Sequence, residues 1–382
     1  MSNVSRFIGV KSVLLLLLLS ITFLNWHGYW YVFAVLPIVY ALFFKEIYRY
    51  IDKVFVLFFL FGVWYSIFAT KLSMGEYATL VLVCPMVYLI GKFIGSSENE
   101  DSLINVLFVL ALSMATIYLL SIIGDTAKNG FYTDSRNIEI EGRGSDEEIS
   151  ATGIYSHLML LTTFIAVLFA RMSLKRKMLF ATFAIMAFVA SIRIQSRTAV
   201  VILILVILLA LFVNFSTIIR RNLIMVMISL GALLFAANYA MTNYEEELGI
   251  LERFHDDDVE TGGYRTELAA DVINKISEHP WGGLEYMQYA HNMWIDCARV
   301  AGIVPLFILL IITVLYIRSL WRIYRQKIDT SCCRDMIVIM GVSMLVYMNV
   351  EPILEGCPLL FAFFALFLGV MRGRTNVLLG YR

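Results

Sequence analysis

The sequence predicts an all-α protein, a polytopic membrane bundle of about 12 spanning helices, with a long outer loop that contains an amphipathic helix. Composition is the first reason: 60% of the 382 residues are hydrophobic, 16% are charged and the mean hydropathy is +0.78. Soluble globular domains are far more polar. The second reason is that apolar runs of roughly 17 to 25 residues, enough to cross a core of about 30 Å, recur along the chain. The third reason is that the sequence lacks the alternating polar and apolar pattern of membrane β-barrel strands.

The predicted spans extend over the whole chain, and no soluble domain or internal repeat is visible between them. Residues 1–382 are therefore predicted to form a single integral membrane domain. Backbone groups in lipid must be paired within their own segment, so each run is predicted to be a helix. The predicted spans are residues 9–25, 29–44, 54–70, 76–94, 102–123, 151–170, 178–193, 198–217, 222–241, 298–318, 335–350 and 357–372.

Charged residues orient this predicted bundle. With a cytoplasmic N-terminus, 20 of the 30 lysines and arginines fall on the inner side and 23 of the 30 acidic residues fall on the outer side. An excess of basic residues in cytoplasmic loops is the usual pattern of membrane proteins. Two outer loops are then long, at about residues 124–150 and 242–297.

The two long outer loops differ in their patterns. Residues 124–150 are rich in Gly, Asp and Glu, which predicts a mobile loop or lid. The second loop begins with a strongly acidic stretch and continues into ELAADVINKISEHP. There Leu268, Val272, Ile273 and Ile276 recur at helical spacing and Pro280 follows, so an amphipathic helix is predicted on the membrane surface or against the bundle.

Three arginines at the outer edge are candidates for binding an anion. Arg193 and Arg197 lie in IRIQSRTAV, a short outer turn, and Arg265 precedes the amphipathic helix. Guanidinium groups suit phosphate because they present a planar fork of donors. The alternative is that Arg193 and Arg197 extend to the membrane interface and that Arg265 is a solvated charge.

His291 is the candidate general base. Imidazole ordinarily titrates near neutrality and can accept a proton from a hydroxyl group, although a histidine beside Asn292 before a span could also be an interfacial cap. His157, inside a predicted span, either lines the same site as His291 or is a helix-packing histidine, and packing is the favoured interpretation. Glu351 and Glu355 lie in an outer turn, either as exposed acids or in contact with a sugar or an arginine.

The five cysteines show no metal-ligand spacing, and no metal or other cofactor is predicted. All five are interpreted as packing residues, because cysteine behaves as a small buried hydrophobe. Cys297 and Cys357 could both lie near the outer surface, but the sequence does not establish a bridge between them.

Three segments together resemble a known family. They are QSRTAVVILIL, GYRTELAADVINKISEHPWGG and AHNMWIDCARVAGIVPLFILL, in that order. This pattern resembles the O-antigen ligase and polymerase superfamily, glycosyltransferases of the bacterial inner membrane. The resemblance covers about residues 153–366, and the earlier spans match in hydropathy alone.

The resemblance implies an enzyme that works at the periplasmic face of the inner membrane, so that both long outer loops are periplasmic. The donor it implies is an O-antigen glycan on undecaprenyl diphosphate, and the acceptor is a hydroxyl of lipid A-core oligosaccharide. Arg197 and Arg265 match the arginines that bind the diphosphate, and His291 matches the catalytic histidine. Membrane lipids are the surrounding partners, and no nucleic acid is implied.

Other functions stay open at this point. A polymerase that joins lipid-linked repeat units shares the arginine and histidine pattern, and the ligase is favoured on the segments EPILEGCPLLFAFFAL and TGIYSHLMLLTTFIAVL. A polysaccharide transporter or flippase is less favoured, since it would be expected to carry charges at the bilayer midplane on broken helices. A purely structural membrane subunit would not need the ordered arginines and histidine.

Overall fold

The computed structural model describes residues 10–25, 30–96, 100–131, 136–140, 148–213, 265–325 and 332–378. Most of these residues are helical. The helices are α1 (Val10–Leu24), α2 (Trp30–Ile47), α3 (Lys53–Phe68), α4 (Met74–Gly95), α5 (Glu100–Asn129), α6 (Ala151–Leu168), α7 (Leu174–Arg193), α8 (Arg197–Val213), α9 (Arg265–Ile276), α10 (Met293–Ala301), α11 (Ile303–Arg325), α12 (Cys332–Met348), α13 (Ile353–Gly356) and α14 (Pro358–Leu378). A small antiparallel hairpin pairs β1 (Ile138–Glu139) with β2 (Glu148–Ile149).

The all-α membrane class predicted from composition is confirmed. Five helices are long and apolar enough to cross a membrane, namely α4, α5, α6, α11 and α14. Eleven of the twelve predicted spans fall on helices over the residues that the structure describes, and the remaining span, residues 222–241, lies outside those residues. The total of about 12 spans stays a prediction.

The two long loops are partly ordered as secondary structure. Helix α5 continues to Asn129, and the hairpin that follows buries Ile138 and Ile140. The first loop is therefore more structured here than the predicted mobile loop or lid. The predicted amphipathic helix is confirmed as α9, which buries Val272 but leaves Ile273 exposed. The acidic stretch before α9 lies outside the described residues.

The centre of the bundle is the contact between α4 and α14, where the two backbones touch. Glycines four residues apart on both helices allow this approach, because they have no side chain to hold the helices apart. A Cβ added to Gly91 would lie 2.0 Å from the Leu366 carbonyl oxygen, and one on Gly369 would lie 2.1 Å from that of Tyr88. Gly95 and Gly373 make the same kind of contact one turn further on.

Charged side chains pair at the two ends of the bundle. At the predicted inner end, Asp52 caps α3 and its Oδ2 lies 2.7 Å from Lys92 Nζ and 3.4 Å from Arg372 Nη2. At the predicted outer end, Arg193 pairs with Asp125. In each of these pairs, both partners come from loops or helix ends that the basic-residue pattern assigns to the same side. The contacts thus agree with the predicted alternation of the helices.

We expect Gly369→Ala to lower the thermal unfolding midpoint in detergent micelles. The added methyl group overlaps the Tyr88 backbone, and overpacking of this kind costs about 1 to 3 kcal/mol, which exceeds the gain of about 0.5 to 1 kcal/mol from replacing a helical glycine.

The matched control is Gly356→Ala, because the nearest atom to its added Cβ is Pro352 Cγ at 3.8 Å. The midpoint of this control should equal or slightly exceed that of the parent. Equal midpoints for the Gly369 and Gly356 variants would show that the α4–α14 contact does not need its glycines.

Candidate functional site

The predicted outer ends of four helices meet at the carboxylate of Glu351, which is only 2% exposed. Its Oε1 accepts a hydrogen bond of 2.9 Å from the Thr198 hydroxyl and lies 3.8 Å from Arg265 Nη2. Its Oε2 lies 3.6 Å from His291 Nδ1. We call Glu351, Thr198, Arg265 and His291 the Glu351 cluster. Arg265 and His291 were predicted separately as candidate site residues. In the structure both face the same acidic group.

Hydrogen bonds to the end of α12 hold the cluster in place. A helix C-terminus leaves its last carbonyl groups without intrahelical donors, and cations are favourable there. Arg265 Nη1 donates to the Val350 carbonyl at 3.0 Å. Asn292 Nδ2 donates to the side-chain oxygen of Asn349 at 2.8 Å. The starts of α9 and α10 are thus both tied to the turn that carries Glu351.

His291 has a backbone conformation that non-glycine residues seldom adopt, with φ at +52°. The carboxylate of Asp296 holds it there, accepting from the backbone N–H of Ala290 at 2.8 Å and of Asn292 at 3.1 Å, on either side of the histidine. The Asn292 side chain in turn caps α10 by accepting from Trp294 and Ile295 N–H. Such conformations persist where surrounding contacts enforce them, and they occur often at functional sites.

Arg136 also lies at the site, although no sequence pattern used above indicated it. Burial lowers the pKa of its guanidinium, the charge of Arg197 and, less strongly, that of Arg265 lower it further, and Glu351 opposes them. Among the described residues, no group accepts a hydrogen bond from Arg136 Nε. Arg136 therefore lies near two other arginines and one carboxylate, and the excess positive charge suits an anionic ligand.

A pattern in the sequence could have indicated Arg136. The residues Ile138-Glu139-Ile140-Glu141 alternate apolar and acidic side chains, which is typical of a half-buried strand. Burial of Ile138 and Ile140 anchors the hairpin, and the anchored strand carries the arginine two residues before it.

Arg193, which was predicted to help bind an anion, contacts an acidic side chain of the protein itself. Its guanidinium is buried, pairs with Asp125 and donates from Nε to the Gly130 carbonyl at 3.0 Å. Arg193 and Arg197 were predicted to lie in one short outer turn as candidates for binding an anion, and in the structure α7 ends at Arg193 and α8 begins at Arg197. Gln195 between them has a φ of +55°, so the chain turns and the two side chains do not share a helix face.

His157 is a packing histidine, as the sequence analysis favoured. Its Nδ1 lies 2.9 Å from the Gly153 carbonyl, which can only accept, so Nδ1 is the protonated nitrogen and Nε2 accepts from the Tyr118 hydroxyl at 2.9 Å. Its ring stacks on Tyr118 with centroids 3.8 Å apart. Cys357 Sγ lies 3.5 Å from Nε2, and Cys357 and Cys297 form no disulfide.

Glu355 is not an exposed acid. It pairs with Arg299, which also pairs with Asp296 at 3.1 Å, and all three side chains are buried. Burial raises the pKa of Glu355 to about 7 against the opposing charge of Arg299. Two carboxylates share one guanidinium and Asp296 also has two backbone donors, so Glu355 is the carboxyl that binds a proton more readily. This group supports the loop that carries His291 and does not belong to the Glu351 cluster.

Comparison of the chain with models of known protein families and with curated proteins gives no match. The geometry of the site is therefore the basis for inferring its chemistry. The arrangement offers guanidinium groups for an anion and an imidazole beside a buried carboxylate. It can thus bind a phosphate-type group and move a proton in the same place.

We expect Glu355→Gln to gain stability relative to the parent as the pH rises from 5 to 8. The raised pKa means that the parent favours the neutral carboxyl in the folded state. Its contribution to stability is therefore full below the ordinary value of 4.5 and is lost as the pH rises through about 7. The amide mimics the neutral form at every pH, so the difference in unfolding midpoint should grow by a few degrees.

Thermal unfolding of both proteins across this pH range measures the difference, with the exposed Glu278→Gln as the control. A midpoint difference for Glu355→Gln that does not vary with pH would mean that Glu355 does not titrate in this range.

Proposed function

We propose that this protein is a glycosyltransferase that moves a glycan from undecaprenyl diphosphate to an acceptor hydroxyl at the outer face of a bacterial inner membrane. The observation that carries the proposal is the meeting of Arg265 and His291 at Glu351. Arg197 is also near enough to Arg136 for its charge to lower the pKa of Arg136. Such a reaction requires a site that binds an anion and a group that accepts a proton. The resemblance in sequence order adds to this geometry.

The arginines would bind the diphosphate and stabilise it as it leaves. When the bond between the sugar C1 and the diphosphate oxygen breaks, the electron pair goes to the diphosphate, which gains negative charge. Guanidinium groups placed there stabilise the transition state more than the ground state. In this proposal they take the part that a metal ion has in many phosphate enzymes, so the reaction is metal-independent.

His291 would act as the general base. It accepts the proton of the acceptor hydroxyl while that oxygen forms the new bond to C1, on the side opposite the departing diphosphate, so the anomeric configuration inverts. Diphosphate leaves without protonation, and no acid pair of the glycosidase kind is required. Asp296 and Asn292 hold the histidine in position through the backbone contacts described above.

Within this class we propose an O-antigen ligase, whose acceptor is the lipid A-core oligosaccharide in lipopolysaccharide biosynthesis. A polymerase would use the same residues, with a second lipid-linked repeat as the acceptor. The two differ in what accumulates when the protein is lost.

We expect deletion of the gene in its host to give lipopolysaccharide with bare core, together with lipid-linked polymer. His291→Ala should fail to restore transfer, with turnover lower by on the order of 10² to 10⁴ but donor binding retained.

Arg197→Lys should weaken activity as well, since a point charge does not reproduce a two-pronged contact. Gel patterns and transfer assays with purified donor measure these effects.

The control is Gly356→Ala, which alters no polar contact of the site and should restore the normal ladder. Core carrying a single repeat unit in the deletion strain would identify a polymerase instead. Parental turnover in His291→Ala would remove this histidine from the chemistry.

We also expect the site to face outward. In a Cys332→Ala background, which removes the half-buried native thiol and leaves four buried ones, Ser277→Cys should react with an impermeant maleimide in right-side-out vesicles. Lys175→Cys should react only after the membrane is opened, because basic loops stay inside. The reverse labelling pattern would invert the topology and place the site in the cytoplasm.

A further inference from the structure

We infer that Glu351 is a positioning residue that fixes the protonation of His291, so that Nδ1 carries the proton and Nε2 is the atom that accepts the proton of the acceptor hydroxyl. This inference rests on the proposed function for its catalytic meaning. The contact between the two side chains stands independently of it.

The two facing atoms are the first step. His291 Nδ1 lies 3.6 Å from Glu351 Oε2, and among the described residues neither atom has a hydrogen-bond partner. Both atoms are buried. Leaving a buried donor and a buried acceptor unpaired is unfavourable, and a movement of about half an ångström brings the two atoms within hydrogen-bond distance. The pair is therefore placed to form one bond.

The direction of that bond follows from the chemistry of the carboxylate. Glu351 Oε1 is occupied by the Thr198 hydroxyl and approached by Arg265, so Oε2 is the oxygen available to His291. An ionised carboxylate accepts but does not donate. The proton between them must then be on Nδ1, which leaves the lone pair of the neutral ring on Nε2.

The orientation of the ring is set from two sides. Asp296 holds the backbone on either side of His291, and Glu351 holds one edge of the ring. Nε2 lies on the far side of the ring from Nδ1, so it points away from Glu351. The imidazolium that forms when Nε2 takes the proton keeps a buried negative charge beside it, which stabilises the transition state. A histidine oriented and charged in this way is the arrangement of known hydrolytic triads.

The tautomer can be read directly by ¹⁵N NMR of the full chain labelled at histidine, in detergent micelles, with the pH raised until the ring is neutral. The chain has five histidines, and the signal that His291→Gln removes identifies the one required. We expect proton attachment at Nδ1 in the parent and at Nε2 in Glu351→Gln. The matched control is Glu355→Gln, which neutralises a buried carboxyl four residues away that pairs with Arg299, and it should leave the His291 tautomer unchanged.

Turnover measures the consequence. Glu351→Gln should lower kcat by on the order of 10² to 10⁴, as expected when a base is held in the wrong tautomer, and Glu351→Asp should recover part of it. A parent protein with the proton on Nε2, or a Glu351→Gln variant with the proton still on Nδ1, would overturn the inference. The parent spectrum decides even if the variant does not fold.

The two proposals fail separately. If Nδ1 carries the proton but the protein transfers no glycan, the contact is real and the proposed function is wrong. If His291→Ala abolishes transfer while the parent carries its proton on Nε2, the proposed function survives and Glu351 does not position the base.

Discussion

A carboxylate buried to the extent of Glu351 needs donors and positive charges around it, because removing one partner from a buried charge typically costs about 3 to 5 kcal/mol. At the outer end of this bundle the partners come from separate helices. Thr198 starts α8, Arg265 starts α9 and His291 precedes α10. Satisfying one acid therefore fixes where three helices begin relative to the end of α12.

The scaffold beneath this site follows a different rule. Inside the bundle the helices approach through small residues, and α4 and α14 touch along a row of glycines where charged side chains have no room. The ion pairs Lys92–Asp52 and Arg193–Asp125 lie at the two ends of the bundle, where residues of loops and helix ends can meet. A site that needs arginines and a histidine can then form at an end without disturbing the core.

Rigidity links the scaffold to the proposed chemistry. His291 is held by Asp296, Asp296 is paired with Arg299, and Arg299 is paired with Glu355 on α13. Each contact is buried, so the left-handed backbone at His291 is enforced rather than sampled. A base held in this way loses little freedom when substrate binds, which favours reaction.

Hydropathy, basic-residue bias and helical spacing are properties of neighbouring residues, so they were enough to predict the helical membrane class and the amphipathic helix α9. Local patterns likewise indicated Arg265 and His291 as candidate site residues. The partner of Arg193, the approach of Arg136 and the role of Glu351 depend on which helix ends meet. Arg193 and Arg197 looked adjacent in sequence, yet the turn at Gln195 separates them. These points follow from the fold, because contacts between residues far apart in the chain are set by packing and by the pairing of buried charge, which no local pattern encodes.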